Sequence, residues 1–481
     1  MIRDALMTIN TSSAPDSGNA NARIGVPMAW GLSVGAAVGG LYAGWNLGLG
    51  QAGFGGMLVA TLVAGALYLF LVMSVSELVS VMPYAGGTMS YSLVVFGRFG
   101  GFIAAMAVLV AYLCAMSSIL LGVTQEIVKF PEGFGLSHLS APLVWAALLL
   151  LFGWLNVSSR ITFFTTALVL SIGALALLVL VTAGLLPSFS PSELLALAVA
   201  PTGNRWLPNG YTGVVLAIPF ALWLFLSIEV GIFSAEDVSE PQRTLPKSLL
   251  LSFASLLMIA LLVLIILPGS PPGVLAISKL PDPLGPGLHK IFGRSPLVDL
   301  LTLAGAIAGF HSMVYASSRL VLAMARAGFM PASLTKVAPA SGMPSRAVVV
   351  VCLAVFALVF ATRFVASEKQ VVEVLIHLAA IGGLVSYLFV FAAYLKLHST
   401  YPDLPRPFQS MFGATGAIAG LLMVAIGLLL LLAFGEAATA FGAFASISIA
   451  ACIIFFIAGL GRTDASAPEE QFAQSLNKPQ A

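Results

Sequence analysis

The stretch Val38-Gly39-Gly40-Leu41-Tyr42-Ala43-Gly44-Trp45-Asn46 decides how this chain is read. It lies inside an apolar run from 26 to 49, and a helix needs about 20 such residues to cross the hydrocarbon of a bilayer. Each glycine weakens a helix by about 1 kcal/mol relative to alanine, and Gly39, Gly40 and Gly44 fall close together. Two readings stand at this point. The glycines permit an unwound turn whose free N–H and C=O groups meet a ligand. Alternatively, Gly40 and Gly44, spaced as in GxxxG, let a second helix pack closely.

Outward from this stretch, composition defines the solvent. Of 481 residues, 59% are hydrophobic and 8% charged, against roughly 25% charged in an ordinary globular protein. So few charges cannot cover a water-exposed surface, and the chain reads as a polytopic membrane protein whose partner is the lipid bilayer. A net charge of +2 leaves no basic field for nucleic acid. Cys114, Cys352 and Cys452 all sit in apolar runs, without CxxC or Cys/His spacing. Neither disulfides, nor a metal, nor a cofactor is expected. Residues 1–23 are polar and lack the apolar core of a signal peptide. They read as a disordered cytoplasmic N-terminus, and 461–481 as a disordered cytoplasmic C-terminus.

Between them, 24–460 reads as one all-α integral membrane domain. Twelve spans are expected, at 26–49, 54–80, 99–127, 140–156, 161–186, 212–236, 247–267, 296–325, 346–362, 371–396, 411–434 and 437–460. A short segment holding Gly86-Gly87 lies between spans 2 and 3, and its polar backbone must be buried in protein or lie at the interface. Lys and Arg favour the loops on the side of the termini by roughly two to one. Both termini are therefore expected in the cytoplasm, and the chain in a plasma membrane, with its compact loops fitting a bacterial inner membrane.

Span 6 carries a second interruption, Pro219-Phe220-Ala221-Leu222-Trp223-Leu224-Phe225-Leu226-Ser227-Ile228-Glu229-Val230-Gly231. A charged Glu229 near mid-span costs about 2.5–3.5 kcal/mol, so it should face the bundle interior or a watered path. The plainer alternative is a hydrogen-bonded carboxyl that fixes helix packing. Spans 1 and 6 are spaced as two inverted five-span repeats would place them, with spans 11 and 12 appended.

Three further motifs carry a resemblance. Span 2 ends Ser76-Glu77-Leu78-Val79-Ser80-Val81-Met82-Pro83-Tyr84-Ala85-Gly86-Gly87, and span 6 is followed by Ala235-Glu236-Asp237-Val238-Ser239-Glu240-Pro241-Gln242-Arg243-Thr244-Leu245-Pro246-Lys247. Span 8 ends Tyr315-Ala316-Ser317-Ser318-Arg319-Leu320-Val321-Leu322-Ala323-Met324-Ala325-Arg326-Ala327-Gly328. Together these resemble the amino acid–polyamine–organocation permease superfamily over essentially all of 24–460. Tyr42-Ala43-Gly44-Trp45-Asn46, Gly309-Phe310-His311-Ser312 and Leu404-Pro405-Arg406-Pro407-Phe408 look closest to its ethanolamine permease branch.

The resemblance implies the leucine-transporter-type fold, with substrate held between broken spans 1 and 6 and lined by spans 3, 8 and 10. Carried over by residue, the substrate contacts would be Gly39, Gly40, Tyr42 and Gly44 with Trp223, Ser227 and Glu229. Half-helix N-termini suit a carboxylate, and free carbonyls with Glu229 suit an ammonium. Trp223 would close over the substrate or offer a cation–π face, unless it is an ordinary packed tryptophan.

Ser171 lies where some members of the superfamily carry a span 5 lysine. Glu229, His311 and Glu77 are the candidates for proton coupling or gating, with His311 able to titrate near physiological pH. The function expected is secondary active transport of a small amine or amino acid by alternating access, coupled to protons, with Glu229 carrying one. Substrate/product exchange is the alternative. A polytopic membrane enzyme is a distant one, because no nucleophile–base pair or metal cluster is visible, and no phosphate-binding loop suggests a pump.

Overall fold

The computed structural model describes residues 24–130, 139–196, 204–339, 341–364, 368–433, 438–462 and 467–476. Proline and glycine set many of the helix ends. Pro27 stands in the first turn of Val26–Tyr42, where its fixed φ suits a helix and its missing N–H costs no bond. Pro241 opens Pro241–Ile266 in the same way. Gly53, at φ 69° and ψ 179°, breaks the long helix Leu47–Val81, and Gly97, at φ 73°, breaks Thr88–Lys129. Residues with a Cβ rarely adopt such angles, so the boundaries expected near 49–54 and near 99 are fixed by these two glycines.

Among the described residues, eleven helices are long and apolar enough to cross a membrane, and Val26–Tyr42 is a shorter apolar helix beside them. The helices after Thr88–Lys129 are Ala141–Ser158, Arg160–Leu185, Gly210–Trp223 continued by Ile228–Ser234, Pro241–Ile266 and Ala304–Arg326. Ser345–Ala361, Glu368–Thr400, Gly413–Ala433 and Ala438–Ile457 complete the set. No strand occurs among the described residues beyond an isolated parallel bridge between Ile24 and Val238.

Burial separates an inner from an outer layer. Spans 1, 2, 3, 6 and 10 are mostly covered by protein, whereas spans 4, 5, 9, 11 and 12 leave apolar faces open. Leu143, Leu150, Trp154, Leu353, Leu429 and Phe456 are exposed on those faces. In water such rows would be a liability. Against lipid they are the ordinary outer surface of a helix bundle. Span 1 packs on spans 5, 7 and 8, span 3 on span 10, and the first half of span 6 on span 2.

One end of the bundle is tied by charge. Asp237 is buried, with Arg319 Nη2 at 2.6 Å, Arg160 Nε at 2.9 Å and the Tyr315 hydroxyl donating to it. Ser239 N donates to Ile24 O at 3.1 Å beside the Ile24–Val238 bridge. The start of span 1, the end of span 6, the start of span 5 and the end of span 8 therefore meet here. This is the end that the sequence assigns to the cytoplasm.

The expectation of a disordered C-terminal segment needs correction. Within 461–481, Pro468–Leu476 is a helix with Glu469 and Phe472 buried. A polar composition hid it, because two side chains rather than an apolar stripe anchor it. Residues 1–23 and 477–481 lie outside the described residues.

Candidate functional site

Both interruptions seen in the sequence are real breaks, and they face each other. Span 1 is helical through Tyr42, so Gly39 and Gly40 lie within the helix and the turn follows at 43–46. Gly44 takes φ 93°. The turn satisfies part of its own backbone. Trp45 Nε1 donates to Leu41 O at 3.1 Å, and Asn46 Oδ1 accepts from Gly44 N at 3.2 Å. Asn46 Nδ2 also lies 2.8 Å from both Ile277 O and Leu280 O, which ties the turn to the loop after span 7.

Span 6 ends its first half at Trp223, turns through 224–227, and resumes as the tighter helix Ile228–Ser234. Ser227 sits at φ 71°, an unusual angle for a residue with a side chain. Such strain persists only where surrounding contacts hold it. Here Tyr387 Oη accepts from Ser227 N at 3.4 Å, and the Tyr68 hydroxyl donates to Leu222 O at 3.2 Å.

Packing explains the paired glycines. A Cβ on Gly40 would stand 2.2 Å from the Trp223 carbonyl oxygen, so Gly40 is where span 1 meets the broken end of span 6. A Cβ on Gly44 would stand 3.1 Å from the Trp223 indole nitrogen, and one on Gly39 3.4 Å from Gly305 O in span 8. The ligand-turn and close-packing readings thus divide along the stretch. Gly40 serves close approach and Gly44 serves the turn, whereas Gly39 has room for a methyl group.

Glu229 is buried one residue beyond the start of the second half of span 6. Tyr112 Oη of span 3 donates to its Oε1 at 2.9 Å, and Tyr387 Oη of span 10 donates to its Oε2 at 3.0 Å. Tyr68 of span 2 meets the Tyr387 ring edge-on at 5.8 Å. These tyrosines were missed in the sequence. Tyr112 and Tyr387 each stand mid-span among apolar residues, and a buried tyrosine hydroxyl usually finds a partner. That need was the available signal, but it did not name Glu229.

The remaining candidates fall elsewhere. Tyr42 directs its hydroxyl to Ala174 O of span 5 at 2.7 Å, and its ring fills the place a side chain at Gly305 would take. Its hydroxyl is therefore committed to tying span 1 to span 5. His311 is buried against Phe163, with ring centroids 4.6 Å apart, and its Nε2 lies 3.3 Å from Phe163 O. Its Nδ1 has no hydrogen-bond partner among the described residues. Ser171 Oγ, near the span 5 position singled out in the sequence, lies 2.6 Å from Gly31 O and 2.7 Å from Ala167 O.

Glu77 belongs to a separate cluster at the C-terminal end of span 2. It accepts from Tyr394 Oη at 2.9 Å and from Ser410 N at 2.8 Å, and lies 2.6 Å from His398 Nε2 and 3.1 Å from Arg406 Nε. A carboxylate so fully engaged pins span 2 to span 10 and to the segment that follows it. Among the described residues, no group of His, Cys, Asp and Glu could hold a metal ion.

Two broken helices in contact at Gly40 and Trp223, inside a bundle with lipid-compatible outer faces, define a multi-pass membrane protein. The chain belongs to the amino acid permease family, whose family model, "Amino acid permease", matches residues 28–460. It is 29% identical over 404 residues to an uncharacterized transporter of Rhizobium meliloti, covering 82% of this chain and 83% of that protein. It is 25% identical over 393 residues to the branched-chain amino acid permease BcaP of Bacillus subtilis, covering 79% and 81%. A probable GABA permease of Pseudomonas aeruginosa is 24% identical over 402 residues, covering 79% of each chain. These names belong to transporters rather than enzymes.

Proposed function

We propose that this chain is a secondary active transporter that carries a small amine or amino acid by alternating access, coupled to protons through Glu229. The observation that carries the reading is that Glu229 lies at the break of span 6, between tyrosine hydroxyls from spans 3 and 10. Those two donors stabilise the ionised form where the low-dielectric interior disfavours it. An ammonium group entering the site would meet the carboxylate and the indole of Trp223. Glu229 gains a proton on the outer side and loses it on the inner side with the substrate, so both cargoes cross in the same direction. Amino acids are favoured by the printed names of the relatives. Ethanolamine and similar amines stay in the set because they share the ammonium and the branch motifs.

The fold proposed with it counts span 1 as Val26–Tyr42, its turn and 47–52, which makes twelve crossings. Spans 1–5 and 6–10 are taken as inverted repeats, and spans 11 and 12 as additions. Spans 1, 2, 6 and 7 rock against 3, 4, 8 and 9, with the Asp237 end facing the cytoplasm of a bacterial inner membrane. Glu77 and His311 take structural parts in this scheme, supported by the packing each already has.

The second reading is substrate/product exchange. What favours it is that both Glu229 oxygens already accept hydrogen bonds, as a binding carboxylate that never titrates would require. Uptake of radiolabelled amines and amino acids by purified protein in liposomes decides between them. Proton-coupled transport gives uptake that rises with an inward proton gradient and loses that response in Glu229→Gln. Uptake that ignores the gradient and requires internal substrate gives exchange instead.

A further inference from the structure

The C-terminal helix Pro468–Leu476 is docked by buried and charged contacts rather than draped on the surface. Glu469 is buried, and its Oε1 accepts from Ser90 Oγ at 2.7 Å. The same oxygen would lie 3.4 Å from a Cβ on Gly86. Glu470 pairs with Arg98, which also donates to Leu460 O at 2.7 Å and to Ala327 O at 2.6 Å. Phe472 meets Tyr84 edge-on at 6.3 Å between centroids. A free polar tail would keep both carboxylates in water, since burying one is costly unless its partners are good.

The 84–98 segment that receives this helix also touches the ends of spans 6 and 8, through Ala85 to Glu236 and through Arg98 to Ala327. Ala85 N donates to Glu236 Oε1 at 3.4 Å, just after span 6. Arg326, ending span 8, reaches both oxygens of Glu236 at 2.7 and 2.8 Å. The tail helix thus docks on the 84–98 segment, which Ala85 N links to the Glu236–Arg326 pair.

We propose that Pro468–Leu476 is a latch: docked, it clamps the 84–98 segment against the ends of spans 6 and 8 and keeps the inner face shut, and undocked, it lets that face open. The inference rests on the transport reading only in treating this opening as a step of the cycle.

The test measures opening without any substrate. Ser33 of span 1 is fully buried, and its Oγ would stand 2.3 Å from a Cβ on Gly231 of span 6, so a thiol there is reached only when this end parts. Ser33→Cys, in a chain with Cys114, Cys352 and Cys452 replaced by alanine, is labelled with a water-soluble maleimide. The full chain is compared with a chain ending at 462, with Glu469→Lys, which puts a charge in the buried seat, and with Glu469→Gln, which can still accept from Ser90. Labelling should speed up about tenfold in the truncated and Lys chains and stay at the full-chain rate in the Gln chain. Equal rates in full and truncated chains, or a Gln chain as fast as the Lys chain, overturn the latch. A failure to find a transported substrate would count against the function proposed above and leave this result standing.

Discussion

Gly39 and Gly40 are neighbours in one helix, yet alanine should be tolerated at the first and resisted at the second. If the two glycines served flexibility, either substitution would stiffen span 1 by a similar amount, with about 1 kcal/mol gained in helix propensity. The structure predicts otherwise. At Gly39 the new methyl meets Gly305 O at 3.4 Å, an ordinary contact. At Gly40 it meets the Trp223 oxygen at 2.2 Å, its carbon at 3.0 Å and Leu224 Cα at 3.2 Å. That is about 1 Å short of van der Waals contact, and the neighbour is backbone that cannot rotate away. Overpacking of this kind costs about 1–3 kcal/mol, which as displaced site geometry corresponds to a loss of about 5- to 150-fold in substrate affinity. Thermal unfolding in detergent and uptake in liposomes, at matched incorporation, measure both effects. Gly39→Ala should match the parent in both, and Gly40→Ala should be less stable and weaken uptake. Matching behaviour of the two variants would refute the packing account and return the stretch to flexibility.

Other expectations follow from the charged clusters. Asp237→Asn leaves Arg160 and Arg319 without their shared counter-charge, and breaking a buried pair costs about 3–5 kcal/mol. The partial exposure of Arg160 places the loss toward the lower end. Thermal unfolding should show it, Ser33→Cys labelling should quicken, and an Asn variant as stable as the parent would contradict the pairing. At the latch, burial pushes the Glu469 carboxyl above its usual range, with the Glu236 charge adding to the rise and Ser90 and Arg326 opposing it. Docking then takes up a proton, so it is complete at low pH and weakens as pH rises through the docked value. Glu470 and Arg98 also face the seat. Ser33→Cys labelling, normalised to the same thiol in unfolded protein at each pH, should therefore accelerate as pH rises through the docked value in the full chain and stay flat in Glu469→Gln. The same slope in both chains would remove Glu469 from this role.

Much of the architecture was legible because a bilayer leaves few options. Apolar runs long enough to span must be helices, and charges gather where runs end, so the span boundaries came from length and composition. Gly39, Gly40, Gly44, Ser227 and Glu229 stood out as departures from an otherwise apolar pattern; the fold sets Gly40 and Gly44 against Trp223, Gly39 against Gly305, and Glu229 against Tyr112 and Tyr387. Glu77 and His311 stood out for the same reason and have other partners. Their signal was polarity in an apolar run, which marks a satisfied packing group as readily as a transport group. Pro468–Leu476 was illegible for the opposite reason, since nothing in a short polar stretch announces the pocket that receives Glu469.

By itself, then, the sequence determined that the chain is a multi-pass helical membrane protein with two interrupted spans and a carboxylate in the second. These follow from local rules of hydropathy and backbone freedom. Only the tertiary structure decided that Glu229 is held by Tyr112 and Tyr387, that Gly40 is a point of contact rather than a hinge, and that Asp237 ties spans 5, 6 and 8 at one end. Each depends on residues distant in the chain becoming neighbours, and hydrogen bonds and close packing act over a few ångströms that no linear pattern encodes.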